Sequence, residues 1–191
     1  MESQKQNELK EALSKASKSV LILAIAGMVA NFFAIIPLMG KIVDMCNVLI
    51  IAAITAFMLR LECPAALVDE PDAAAFKKIR LGINIFLLGF ILNAIPAAGA
   101  ILGMIAFVVA YIFLMMGFNL LKQSESFPFK DGMSLIFIAM ILGIVGSVLT
   151  IIPLIGIVGK LCLLASYLLL LLGWKKVTAD AAPAIEAPTA E

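Results

Sequence analysis

Three observations predict an all-α fold, a polytopic membrane bundle of six transmembrane helices in three repeated antiparallel hairpins with Pro-x-x-Gly turns. The first is a phrase written three times. Ile36-Pro37-Leu38-Met39-Gly40, Ile95-Pro96-Ala97-Ala98-Gly99 and Ile152-Pro153-Leu154-Ile155-Gly156 share one pattern, with prolines 59 and then 57 residues apart. The second is that each proline lies midway through an apolar stretch of roughly forty residues, about twice what crosses a bilayer. The third is composition. Hydrophobic residues make up 63% of the chain and the mean hydropathy is +1.13, which leaves too little polar surface to cover a water-soluble core.

Residues 1–18 are polar, with Leu9 and Leu13 one helical turn apart beside Ala12 and Ala16. They read either as a weak amphipathic helix resting on the membrane surface through Lys10, Lys15 and Lys18, or as a solvated tail. Ala24-Ile25-Ala26 mimics a signal-peptide cleavage site, but the apolar run continues to Ile36, so the segment reads as a retained span. The membrane domain covers 19–176, with repeats at 20–61, 79–121 and 133–174. Polar connections at 62–78 and 122–132 join them, and Asp72 before Ala73-Ala74-Ala75 is a good helix N-cap. Residues 177–191 are Ala, Pro, Thr and acid, and are expected to be disordered.

The repeated phrase explains the bends. Proline disfavours helical geometry in the residue before it, so Ile36, Ile95 and Ile152 should each end a helix. Pro37, Pro96 and Pro153 suit the first turn of the returning helix. Gly40, Gly99 and Gly156 permit either a left-handed residue or close backbone approach. Connections this short force antiparallel neighbours. The turns are nearly wholly apolar, so either they pack as a protein-lined cap or the hairpins re-enter with their tips inside the bilayer; span lengths favour full crossing.

Charge gives the orientation. If each hairpin crosses twice, 12 of the 14 Lys and Arg residues lie on one side, leaving only Lys41 and Lys160 elsewhere. The positive-inside rule then makes both termini cytoplasmic in a cell membrane, a bacterial cytoplasmic membrane by this reading. Phe118 and Trp174, each following a glycine at the end of a returning helix, fit an aromatic belt at that face.

The chain has no histidine, the commonest general base and metal ligand. Cys46, Cys63 and Cys162 are an odd number without a close pair, so neither a disulfide framework nor a zinc site is indicated. A net charge of +1 gives no attraction to nucleic acid. No catalytic, cofactor-binding or metal-binding set is expected, and the partners expected are the lipid bilayer and either a membrane protein or further copies of this chain.

Ionisable groups at membrane depth are the default functional candidates. Aligned on their prolines, the repeats put Asp44, Gly103 and Lys160 at one place, seven residues after each Pro. A pseudo-threefold axis would let Asp44 and Lys160 face each other across the bundle; alternatively Lys160 snorkels and Asp44 hydrates locally. Asn93 and Thr150 are equivalent too, each three residues before its Pro, where the first repeat has Ala34. With Asn31, Asn47, Thr55, Asn84, Ser147 and Ser166 they supply either interhelical hydrogen bonds or a polar path.

Mitochondrial carriers also triple a two-helix repeat, but their Pro-x-acid-x-x-base signature is absent: each of these prolines precedes two apolar residues. The chain resembles instead the HdeD-like small six-span membrane proteins in its Gly-rich helix, Pro-containing turn and Gly-ended return helix. The resembling pieces are Gly27 to Pro37, Gly89 to Pro96 with Gly117, and Gly146 to Pro153 with Gly173. That resemblance implies a non-catalytic role linked to bacterial acid stress. The expected function is therefore a structural, accessory or stress-related membrane protein, with a small solute or ion conduit as the alternative.

Overall fold

A computed structural model describes residues 2–36, 38–70, 72–95, 99–127, 129–152 and 155–179. Pro37, Pro96 and Pro153, together with the tail from 180, lie outside the described residues. Seven helices occur among the described residues: α1 (Glu2–Phe33), α2 (Gly40–Arg60), α3 (Glu62–Leu67), α4 (Asp72–Asn93), α5 (Gly99–Gln123), α6 (Lys130–Thr150) and α7 (Gly156–Ala179). No strand occurs among the described residues. Helices α1, α2, α5, α6 and α7 are long and apolar enough to cross a membrane. Helix α4 is not, because Lys77, Lys78 and Arg80 interrupt its first half and its uncharged run starts only at Leu81.

The ends of α1, α4 and α6 share one local geometry. They stop at Phe33, Asn93 and Thr150, two or three residues before the isoleucines expected to end them. The next residues then tighten into i→i−3 bonds: Ile36 N to Phe33 O at 3.1 Å, Ile95 N to Leu92 O at 2.9 Å and Ile152 N to Leu149 O at 3.2 Å. The steric demand of the coming proline drives this, since the residue before it leaves the α region and a 3₁₀ turn is the nearest way to satisfy the freed amides.

Each returning helix then opens at Gly40, Gly99 or Gly156. None of these takes a positive φ; the left-handed residue among those described is Leu38, at φ 77°. Close approach explains only Gly99, where a side chain would strike the Leu92 carbonyl, whereas Gly40 has open space around it.

Helix α1 packs on α2, α4 on α5, and α6 on α7; α5 also packs on α6, and α7 on α1. Helices α2 and α4 touch sparingly and complete a ring of six. Several contacts bring backbones together at glycines. A Cβ on Gly103 would meet the Gly89 carbonyl at 2.9 Å, one on Gly159 the Gly146 carbonyl at 2.8 Å, and one on Gly173 the Gly132 carbonyl at 2.9 Å. Small residues let helices approach in lipid, where no hydrophobic force drives them together. Exposed apolar side chains appear on every long helix, among them Ile25, Met45, Ile91, Ile101, Ile138 and Leu161. Helices that are apolar on both the buried and the exposed face are those of a membrane protein in contact with lipid.

The first half of α1 continues the span without a break. Its Leu9, Ala12, Leu13 and Ala16 are buried within the protein, with Leu9, Leu13 and Ala16 in one core cluster with Leu61 and Phe127, so this stripe covers the chain's own charged end and does not face lipid. Arg60 secures it, donating from Nη1 to the Lys15 carbonyl at 2.9 Å and to Ser19 Oγ at 2.8 Å. Lys5 bridges to Asp69 at 2.8 Å. Asp72 opens α4, buried, with Ser126 Oγ donating to its Oδ2 at 2.9 Å.

Candidate functional site: an axial cavity

Inside the ring, three aromatic side chains meet at mid-length. The Tyr167 ring of α7 lies against Gly27 of α1, and the Tyr111 ring of α5 lies against Gly143 of α6. Gly27 and Gly143 each stand ten residues before their proline, and at the corresponding place before Pro96 the chain has Phe86. So two junctions of the ring admit a tyrosine into a glycine notch, while the α2–α4 junction has a phenylalanine in place of the notch. Phe86 contacts Tyr111 edge-on at 5.3 Å between centroids and Phe107 at 4.9 Å. Such pairs add of order 1 kcal/mol beyond the area they bury.

Phe86, Tyr111 and Tyr167 line two cavities and so divide the axis. On the side of the turns is a cavity of about 190 Å³. Its polar lining comes from Asn31 of α1, Asn47 of α2, Asn93 of α4 and Ser147 of α6. Asn31 spends its amide donor on the Gly27 carbonyl at 2.8 Å. Asn47 and Asn93 make no side-chain hydrogen bond to other described residues. No Asp, Glu, Lys or Arg among the described residues lines this cavity.

On the charged side lies an apolar void of about 50 Å³, walled by Phe57, Phe118, Met140, Leu170 and Trp174. Phe57 and Trp174 meet edge to face at 5.4 Å. Ser166 also lines it, and its hydroxyl donates to the Ala139 carbonyl at 2.7 Å. The expectation of an aromatic belt is therefore corrected: Phe118 and Trp174 are each 3% exposed and fill the axis. Trp174 Nε1 is buried without a partner among the described residues, the reverse of an interfacial tryptophan, whose N–H reaches water.

The ionic candidates also end up apart. Asp44 is exposed on α2 and Lys160 is half-buried on α7, and the ion pairs among the described residues include neither. Lys160 Nζ donates instead to the Ala34 carbonyl. The reason is geometric and electrostatic: α1 ends there, leaving carbonyls at its negative pole without amide partners, and α7 is its neighbour. Thr150 turns back onto its own helix, donating to the Ser147 carbonyl at 2.7 Å, and it does not line the cavity. Of the four candidates, Asn93 alone belongs to the axial site. Thr55 and Asn84 stay outside as well.

Tyr111 and Tyr167 were not singled out by sequence reasoning, although a signal existed. They are the only two tyrosines of the chain, and they follow their prolines by 15 and 14 residues. No family model, curated protein or solved structure matches this chain.

Proposed function

We propose that this is a non-catalytic, six-span protein of a bacterial cytoplasmic membrane, built as three quasi-equivalent hairpins with both termini cytoplasmic, and that its role is structural, accessory or stress-related. Helix α4 joins as the sixth span because its exposed Leu81, Leu88 and Ile91 face outward with the apolar residues of the other helices, while Lys77, Lys78 and Arg80 sit where basic side chains reach the interface. The three matching 3₁₀ ends support quasi-equivalence, and the resemblance to HdeD-like proteins supports the stress-related sense of the role.

One observation carries the choice of role over the conduit. The charged half of the axis is packed with Phe57, Phe118, Met140, Leu170 and Trp174 around a void of about 50 Å³, room for a few water molecules at most and with a nearly wholly apolar lining to hold them. An apolar constriction of this kind excludes ions by leaving them unhydrated. The conduit reading keeps one observation in its favour, the polar cavity on the turn side; there, Phe86, Tyr111 and Tyr167 would be the gate. Flux from liposomes holding purified protein decides between the two. Rates equal to those of empty vesicles for K⁺, Cl⁻ and small neutral solutes support the sealed bundle, and protein-dependent release of any of them removes it.

A further inference from the structure

We propose that the turn-side axial cavity is a binding site for a neutral, ring-sized amphipathic molecule carrying an amide or hydroxyl head, taken up from the bilayer between α2 and α4. This goes beyond the reading above, which needs no ligand, and it stands or falls separately from it.

Size sets the first limit. A cavity of about 150 Å³ holds benzene; the 190 Å³ here adds room for about one polar group beyond the ring. Chemistry sets the second. Much of the lining is aromatic, from Phe86, Phe90, Phe107, Tyr111 and Tyr167, with the Phe90 and Phe107 rings 5.1 Å apart. The same lining includes Asn47 and Asn93, whose amides offer both donors and acceptors not used by other described residues, and Ser147. A ligand with one apolar face and one head able to give and accept hydrogen bonds matches both surfaces. Charge is the third limit. Among the described residues no acidic or basic side chain lines the cavity, and Lys160 at its edge is already engaged by the Ala34 carbonyl, so an ionised ligand would lose its hydration without a free counter-charge.

The route follows from the ring. Tyr167 in the Gly27 notch and Tyr111 in the Gly143 notch close two junctions, whereas α2 and α4 meet sparingly. The cavity residues bordering that thin junction are Val43, Asn47 and Ile50 on one side and Phe86, Phe90 and Asn93 on the other. Exposed Val48 and Ile91 on the same two helices face lipid. A molecule that partitions into the membrane therefore meets this opening from the bilayer side.

Equilibrium dialysis of radiolabelled benzamide against the full chain in nanodiscs, with empty nanodiscs as blank, tests the proposal. The expected result is saturable binding that benzoate and benzylammonium do not compete away. Asn47→Leu and Asn93→Leu should each weaken it roughly tenfold, the loss of one hydrogen bond to a group left without a replacement partner. Ser147→Ala gives a milder variant with the same direction, and Asn84→Leu, exposed outside the cavity, should change nothing. Thermal unfolding of each variant establishes that it is folded. Benzamide uptake equal to that of empty nanodiscs overturns the proposal. So does binding unchanged in folded Asn47→Leu, Asn93→Leu and Ser147→Ala, or equal binding of benzoate.

Discussion

Replacing Gly27 by alanine probes the notch that seats Tyr167. A Cβ there would stand 2.5 Å from Cε1 and Cζ of the tyrosine ring and 2.7 Å from Cδ1, whereas ordinary carbon–carbon contact begins near 3.4 Å. The ring or the helix must therefore move by nearly 1 Å, and Tyr167, buried at 8% exposure and bordering both axial cavities, can yield only by giving up its seat against Gly27. Overpacking of this kind costs about 1–3 kcal/mol. Gly40→Ala is the internal control: it also adds one methyl to a helix, but with nothing within 4 Å of the new atom, so stability should hold or rise by up to about 1 kcal/mol through helix propensity. Unfolding in mild detergent, titrated with SDS or followed thermally, compares the two. Because Tyr167→Ala removes the obstacle, the double variant Gly27→Ala/Tyr167→Ala should lose clearly less than the sum of the singles. A Gly27→Ala that behaves like Gly40→Ala, or a double variant whose losses simply add, would refute the notch.

The remaining expectations concern single groups. Lys160→Met should lower stability by about 1–2 kcal/mol by taking the charged donor from the Ala34 carbonyl. Asp44→Asn should change it by under about 0.5 kcal/mol, the usual range for surface substitutions, and the pair should be additive in the same unfolding assay. Leu38→Gly should raise stability by about 1 kcal/mol, since Leu38 holds φ 77° while fully exposed and a left-handed conformation costs a non-glycine residue roughly that much. At the charged end, the Glu11 carboxyl is held below its usual range by the hydrogen bond and charge of Lys15, 2.7 Å away. A depressed folded-state value means that this contribution is present near neutral pH and lost as pH falls through it. The protection of amides 8–16 from hydrogen exchange, taken relative to the intrinsic rate at each pH, should fall in that acidic window in the natural chain, and Glu11→Gln should remove the pH step.

Much of the architecture was legible because the relevant signals are local. The apolar runs gave long helices and the breaks fall at the repeated phrase, but the returning helices open at Gly40, Gly99 and Gly156 and not with the prolines in their first turn. The helix stops came early because the proline's influence propagates back through a 3₁₀ turn, which a one-residue steric rule does not contain. The axial site was less accessible. Asn31, Asn47, Asn93 and Ser147 were recognisable as polar residues in apolar surroundings, but only packing decides that these converge while Thr55, Asn84 and Thr150 do not. For Asp44 and Lys160 the alignment left pairing and separate local roles both open, because equivalent positions in a repeat can point to different neighbours. Lys160 found the carbonyl left free at the end of α1, a partner that no side-chain pattern reveals. Trp174 and Phe118 were misassigned for a related reason: an aromatic beside a glycine near a span end serves equally well as a lipid anchor or as filling for the axis.

The central claim is that lipid surrounds these helices and that each turn emerges on the face opposite to the charged end. Single cysteines at Met39, Ile155 and Gln6, in a chain with Cys46, Cys63 and Cys162 replaced by serine, allow it to be measured with a membrane-impermeant maleimide on right-side-out bacterial vesicles. The account predicts that Met39→Cys and Ile155→Cys react in intact vesicles, and that Gln6→Cys reacts only after the vesicles are opened. Reaction of all three positions from the same face, or turn positions that stay unreactive from both faces, would contradict it.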